Sequence, residues 1–319
     1  SNTGEINIIA TQFNETSDGI EAGGIWVDGE LIGTVSNSGD ISVVATAAYG
    51  SGVSAYGIFV SGDMSGKVIN TNTGTIDVKA TYSASSLSGS AIGLYLEDDV
   101  SGTVTNDGQI IAAAVFNDYD SVYVAGMYYD EDITGDASVT NSGSITAILT
   151  AEQTATDGGS GYGIHIDGDL VGDLTNTGSI DVSAEGNGWE VSRAEVNGIY
   201  IGGDVSGSID NQADIRISGD GSYSSVSGSA ILAGEVSGKI TNSGTIMIDM
   251  VDIDKITDNS TLYLSPAAIS ARDVSGTITN SGTIMINVGD SSNSDANINP
   301  IAIYVDRLVG SITNSGMIS

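Results

Sequence analysis

Gly238-Lys239-Ile240-Thr241-Asn242-Ser243-Gly244-Thr245-Ile246 is repeated almost unchanged as Gly276-Thr277-Ile278-Thr279-Asn280-Ser281-Gly282-Thr283-Ile284. Working outward, the kernel Asn-x-Gly followed by x-Ile recurs along the whole chain. Its asparagines are Asn2, Asn37, Asn72, Asn106, Asn141, Asn176, Asn211, Asn242, Asn280 and Asn314, spaced 35, 35, 34, 35, 35, 35, 31, 38 and 34 residues apart. Asn211-Gln212-Ala213 is the one copy that loses its glycine. A fixed period of this length is the mark of a repeat architecture, in which no unit buries its apolar face alone.

Each period holds three short alternating runs: one before the asparagine, as in Lys239-Ile240-Thr241; one after the glycine, as in Thr75-Ile76-Asp77-Val78; and a late one, as in Gly198-Ile199-Tyr200-Ile201. Apolar residues at every second position read as strands with one buried face. No i, i+3, i+4, i+7 stripe marks a helix, and Gly and β-branched residues interrupt every window. The reading is therefore all-β: a parallel β-solenoid, right-handed by the crossover rule, with three strands per coil and about nine coils of ~35 residues, one domain over 1–319. Inward ladders are expected at Val35, Val68, Val104, Val139 and Leu174, and at Ile41, Ile76, Ile110, Ile145 and Ile180. Glycine at the corner permits a tight turn, and stacked asparagine amides can bond from coil to coil. The expected asparagine ladder is Asn37, Asn72, Asn106, Asn141, Asn176, Asn211, Asn242, Asn280 and Asn314. The irregular stretches 45–56, 250–264 and 288–300 lie between the second and third strands, where solenoid insertions form loops on one face.

Composition narrows the function classes. Eight Lys+Arg against 41 Asp+Glu give a net charge of -33. Such a chain repels nucleic acid and anionic membranes and attracts cations. Cysteine is absent, which excludes disulfides and thiolate metal sites and suits folding outside a reducing compartment. High Gly (44) with only 2 Pro, and no Gly-X-Y period, excludes collagen. No run of apolar residues is long enough to insert in a membrane.

The two units quoted first, each preceded by Val-Ser as Val236-Ser237 and Val274-Ser275, resemble repeats of bacterial autotransporter passenger domains and other secreted β-helical surface proteins. That resemblance covers the chain and implies export, display on a bacterial cell surface, and an adhesive, filamentous or surface-layer role. The chain begins and ends within the repeat, at Asn2 and Asn314. It is expected to be a segment of a longer protein or a subunit that stacks, with itself or a neighbouring surface protein as partner.

Two further columns emerge on aligning the coils. Trp26, Phe59, Tyr95, Tyr128, His165 and Tyr200 form an aromatic strip flanked by apolar residues, so it faces outward; beyond Tyr200 it runs to Ile231, Ile269 and Tyr304. It could stack sugars or a protein, or its rings could pack on one another. His165, the single histidine, reads as a variant surface residue in this strip, and no catalytic residue is assigned. Four residues on lie Glu30, Asp63, Asp99, Asp132, Asp169 and Asp204, continuing to Glu235 and Asp273. Carboxylates one strand spacing apart repel, and either calcium or backbone N–H groups in the turn would offset this. No cofactor is required on this reading, with Ca2+ the one ion the pattern admits. The leading expectation is a non-enzymatic extracellular rod. The alternative is a β-helical protein that binds or degrades a polysaccharide through this aromatic strip or paired acids.

Overall fold

The computed structural model describes residues 1–12, 19–48, 52–82, 88–116, 122–152, 158–191, 193–223, 225–250, 253–254, 262–289 and 296–319. Among these the chain forms strands and turns and no helix. Every strand pairing is parallel, and the strands fall into three sheets.

The first sheet is built from four-residue strands ending on the ladder asparagine, from Thr34–Asn37 through Ser138–Asn141 to Ser311–Asn314. The second begins after the corner, as in Asp40–Ala47, Thr75–Tyr82 and Gln109–Phe116. The third holds Ile20–Val27, Gly52–Val60, Ser88–Leu96, Val122–Tyr129, Gly159–Ile166, Ala194–Ile201 and their successors. Consecutive strands in each sheet are one repeat apart in sequence, which is a parallel β-solenoid. A single-residue bridge line, Leu31, Met64, Val100, Ile133, Leu170, Val205 and Val236, closes the coil between the third and first sheets. Much of the irregular stretches 250–264 and 288–300, and residues 49–51 within 45–56, lie outside the described residues.

Branched side chains fill the interior because like meets like at each strand spacing. Val68, Val104, Val139 and Leu174 stand in register, as do Ile41, Ile76, Ile110, Ile145 and Ile180, all buried. Both inward ladders expected from the sequence are thus present. Across the interior, the Cγ2 of each isoleucine points at a glycine of the third sheet. A Cβ built on Gly57, Gly93, Gly126 or Gly163 would lie 2.2 Å from the Cγ2 of Ile76, Ile110, Ile145 or Ile180 respectively. Glycine there makes room for isoleucine, and it also resets the strand's alternation. Ala55 and Ile58 face in, whereas Tyr56 and Phe59 face out, so one residue more than the pleat allows separates the two inward side chains.

The asparagine ladder is corrected at one rung. Asn37 stands opposite Asn70, and Asn70 opposite Asn106. Asn72 is exposed in a turn closed by the Gly74 N–H donating to the Thr71 carbonyl, 2.7 Å. This coil carries two extra residues between its asparagine and its glycine, and the kernel Asn72-Thr73-Gly74 imitates the repeat while the true corner is Asn70. All the other expected rungs are in place.

Candidate functional site

Three axial arrays carry the polar and aromatic chemistry of the described chain. The first is the amide ladder. Each asparagine Nδ2 donates to the Oδ1 of the next: Asn37 to Asn70 at 2.9 Å, Asn70 to Asn106 at 2.8 Å, Asn106 to Asn141 at 2.8 Å, Asn141 to Asn176 at 2.7 Å. The same direction continues through Asn211, Asn242 and Asn280 to Asn314. The other amide hydrogen of Asn106 reaches the Ser144 carbonyl, and that of Asn141 the Ser179 carbonyl, both at 3.3 Å. From Asn37 to Asn280 these amides are fully buried, and a buried polar group that is satisfied on every side fixes the register of the coils.

The second array is acidic. Asp99, Asp132, Asp169 and Asp204 each accept, through Oδ1, the backbone N–H of the next acid in the column: Asp132, Asp169, Asp204 and Glu235. The distances are 3.2, 2.7, 2.7 and 3.1 Å. The sequence suggested a bond within each acid's own turn; the bond runs instead to the adjacent coil. Each carboxylate thereby offsets part of its repulsion with its neighbour against an N–H dipole. Arg272 adds a cation near the end of the column, 3.7 Å from Asp204 and 3.6 Å from Glu235. Glu30 and Asp63, at its start, are exposed. Among the described residues no three His, Cys, Asp or Glu side chains converge tightly enough to hold a metal ion. The acids expected as calcium ligands are strung along the axis rather than gathered about a point.

The third array is the outer face of the third sheet. Trp26, Phe59, Tyr95, Tyr128, His165 and Tyr200 stand in one register, as expected. Beyond Tyr200 the column is Leu232, Ser270 and Tyr304, which corrects the expected Ile231 and Ile269. Those two isoleucines are buried inside, in line with Ile199, because the strand's pleat places the next residue outward. Alanine replaces the glycine two residues before Leu232, Ser270 and Tyr304, at Ala230, Ala268 and Ala302.

A second outward column, missed in the sequence, runs three residues earlier: Tyr56, Ile92, Ala125, Tyr162 and Asn197. Tyr123, from a third line, lies beside it. Strict alternation cannot place Tyr56 and Phe59 on one face; the glycine between them does, and its recurrence before every ring of the column was the available signal. The rings pack into a cluster separate from the interior. Trp26 and Phe59 are 4.1 Å apart, Tyr95 and Tyr128 5.0 Å, and Tyr123 stacks on Tyr162 at 5.0 Å. Most contacts are tilted or edge-on, the arrangement ring quadrupoles favour.

His165 is 5% exposed and sits at the centre of this cluster, not at the surface as the sequence suggested. Its ring contacts Tyr128 at 4.9 Å and Tyr162 and Tyr200 at 4.4 Å. Nδ1 meets the Tyr123 hydroxyl, and Nε2 lies 3.2 Å from Asp167 Oδ1. Burial lowers its pKa to about 4, against the opposing pull of Asp167 and Asp130, so the imidazole is neutral at pH 7. The surrounding phenols are pushed the other way: burial, then the Asp130 carboxylate, raise Tyr95, and burial with the hydrogen bond to Asp130 raises Tyr128. Tyr128 donates to Asp130 at 2.7 Å.

Compared with known protein families, curated proteins and solved structures, the chain matches none.

The functional reading therefore rests on this geometry. Along the axis, the polar and aromatic chemistry repeats coil by coil. The one strongly perturbed imidazole has its two ring nitrogens already committed to Tyr123 and Asp167.

Proposed function

We propose that this chain is an extracellular structural or adhesive rod of a bacterial surface, non-enzymatic, and assembled into a filament or surface layer with copies of itself or with a neighbouring surface protein. The carrying observation is the unbroken run of amide bonds from Asn2 to Asn314, which ties every coil to the next through a column buried from Asn37 to Asn280. Such a column resists bending and shear between coils, a property a surface scaffold needs and an isolated binding domain does not. On this reading the coil is right-handed, and about nine coils at a strand spacing of about 4.8 Å give a rod about 43 Å long. The charge of -33 and the lack of cysteine suit a secreted, well-hydrated surface, and the likeness of the repeat to autotransporter passengers points the same way.

Electron microscopy of the purified chain, with and without calcium, tests the proposal. Filaments or sheets built from stacked rods support it. Dispersed monomers that cleave an acidic polysaccharide overturn it, and assembly that forms only with calcium would assign the acidic column to the ion. A second reading, glycan binding, is favoured by one feature: Trp26 is 44% exposed at the end of a strip whose tyrosines donate to carboxylates, a mixture of ring faces and acceptors that suits sugar hydroxyls.

A further inference from the structure

The outer face of the third sheet has a feature that neither a scaffold nor a sugar platform requires. Oxidisable rings run along it in continuous contact. Tyr56 to Tyr95 is 5.4 Å between centroids, Tyr95 to Tyr128 5.0 Å, Tyr128 to Tyr123 5.1 Å, Tyr123 to Tyr162 5.0 Å and Tyr162 to Tyr200 5.4 Å. Exposed Trp26 lies 6.0 Å from Tyr56 and opens the path to solvent. Electron tunnelling decays exponentially with distance, so rings in van der Waals contact exchange a hole far faster than rings separated by solvent.

A tyrosine gives up an electron readily only if its phenolic proton has somewhere to go. Two phenols on this path, Tyr128 and Tyr95, reach a carboxylate and share Asp130. Tyr123 is different: its hydroxyl meets Nδ1 of His165. The bond from Nε2 to Asp167 assigns the tautomer, with the proton on Nε2 and the lone pair of Nδ1 free to accept from Tyr123. Asp167, with Asp130 nearby, then stabilises the imidazolium that proton transfer would create.

We infer that Tyr123, His165 and Asp167 form a redox site, and that the aromatic face is a one-electron hopping strip whose hole settles on Tyr123. The oxidant is a one-electron acceptor of the peroxidase or photo-oxidant type. It takes one electron from a ring of the strip, and the hole migrates to Tyr123. Tyr123 ends as a neutral tyrosyl radical, its proton on Nδ1 of His165, and the oxidant is reduced by one electron. A reductant such as ascorbate returns the electron, and the proton moves back from Nδ1 to the phenoxyl oxygen. This inference is independent of the scaffold reading, and a rod that carries no radical would leave that reading standing.

Flash oxidation of the intact chain with photogenerated tris(bipyridine)ruthenium(III), read by freeze-quench electron paramagnetic resonance, tests it. The wild-type chain is expected to yield a long-lived neutral tyrosyl radical with the signature of a hydrogen-bonded phenoxyl. Tyr123→Phe is expected to abolish that signature. His165→Phe places a ring where the same column carries Phe59 and is expected to shorten the lifetime at least about tenfold, the consequence of losing one charge-assisted hydrogen bond. Acid should act likewise. The groups facing His165 are Tyr123, Tyr128 and Asp130 from the preceding coil, Tyr162 and Asp167 from its own, and Tyr200 from the next. Below pH 4 the imidazole is protonated and cannot accept. Asp167→Asn, at an exposed position, keeps the core intact and is expected to shorten the lifetime too. Equal radical yield and lifetime in wild type and in Asp167→Asn and His165→Phe would overturn the assignment.

Discussion

Truncating one rung of the amide ladder should destabilise the rod out of proportion to the atoms removed. Asn141 accepts from Asn106 at 2.8 Å and donates to Asn176 at 2.7 Å and to the Ser179 carbonyl at 3.3 Å, with no solvent exposure. Asn141→Ala removes three hydrogen bonds, each worth about 1 kcal/mol net, and leaves a donor hydrogen of Asn106 and the Asn176 oxygen without that partner where bulk water does not reach. Together these losses amount to about 3–5 kcal/mol, at the upper end of single-site effects. Asn72→Ala, in the exposed turn of the imitation corner, should cost less than about 0.5 kcal/mol. Urea unfolding followed by circular dichroism reads both. Combining Asn106→Ala with Asn141→Ala should cost less than the sum of the two, because they share a bond. If Asn141→Ala shifts the midpoint no more than Asn72→Ala does, buried amides are not what binds coil to coil, and the reasoning fails.

The fold holds His165 neutral, its pKa lowered from 6.5 to about 4. Its contribution is fully present above pH 6.5 and is lost as pH falls towards 4, because the unfolded chain takes up the proton first. Wild type should therefore lose about 3 kcal/mol more than His165→Phe between those pH values, measured as the difference in urea unfolding energies. Gly126→Ala would set a Cβ 2.2 Å from Ile145 Cγ2 and should cost about 1–3 kcal/mol, whereas Gly33→Ala, with nothing within 4 Å, should be close to neutral. Asp169→Ala removes the acceptor for the Asp204 N–H at 2.7 Å and should cost about 1 kcal/mol in thermal or urea unfolding. If backbone bonds alone hold the acid column, that cost is the same in EDTA as in calcium; a cost that appears only in calcium would mean the column holds the ion.

The period, the three strands and the inward ladders were all legible because each depends on local alternation repeated at a fixed interval. Val139 and Ile145 face inward for the same reason as Val104 and Ile110, one coil away. Reading failed where the chain inserts residues without changing its local character. Asn70-Thr71-Asn72-Thr73-Gly74 offers two asparagines at nearly the right spacing. Only pairing with Asn37 and Asn106 distinguishes them. The slip from Leu232 to Ile231 comes from a deletion instead: Tyr200 stands eleven residues before Asn211 but Leu232 ten before Asn242, and one residue turns a strand inside out.

By itself the sequence determined a stack of parallel strands with an aliphatic interior, because periodic burial is encoded residue by residue. Only tertiary structure decided what the polar and aromatic columns touch. Neighbours along the axis are some 31–38 residues apart in the chain, so their contacts depend on register between coils. That register sends each carboxylate to the next coil's N–H. The glycine against each isoleucine turns Tyr56 and Phe59 to one face. In the same way His165 is enclosed by rings from the coils before and after it, where a reading of its own strand placed it at the surface.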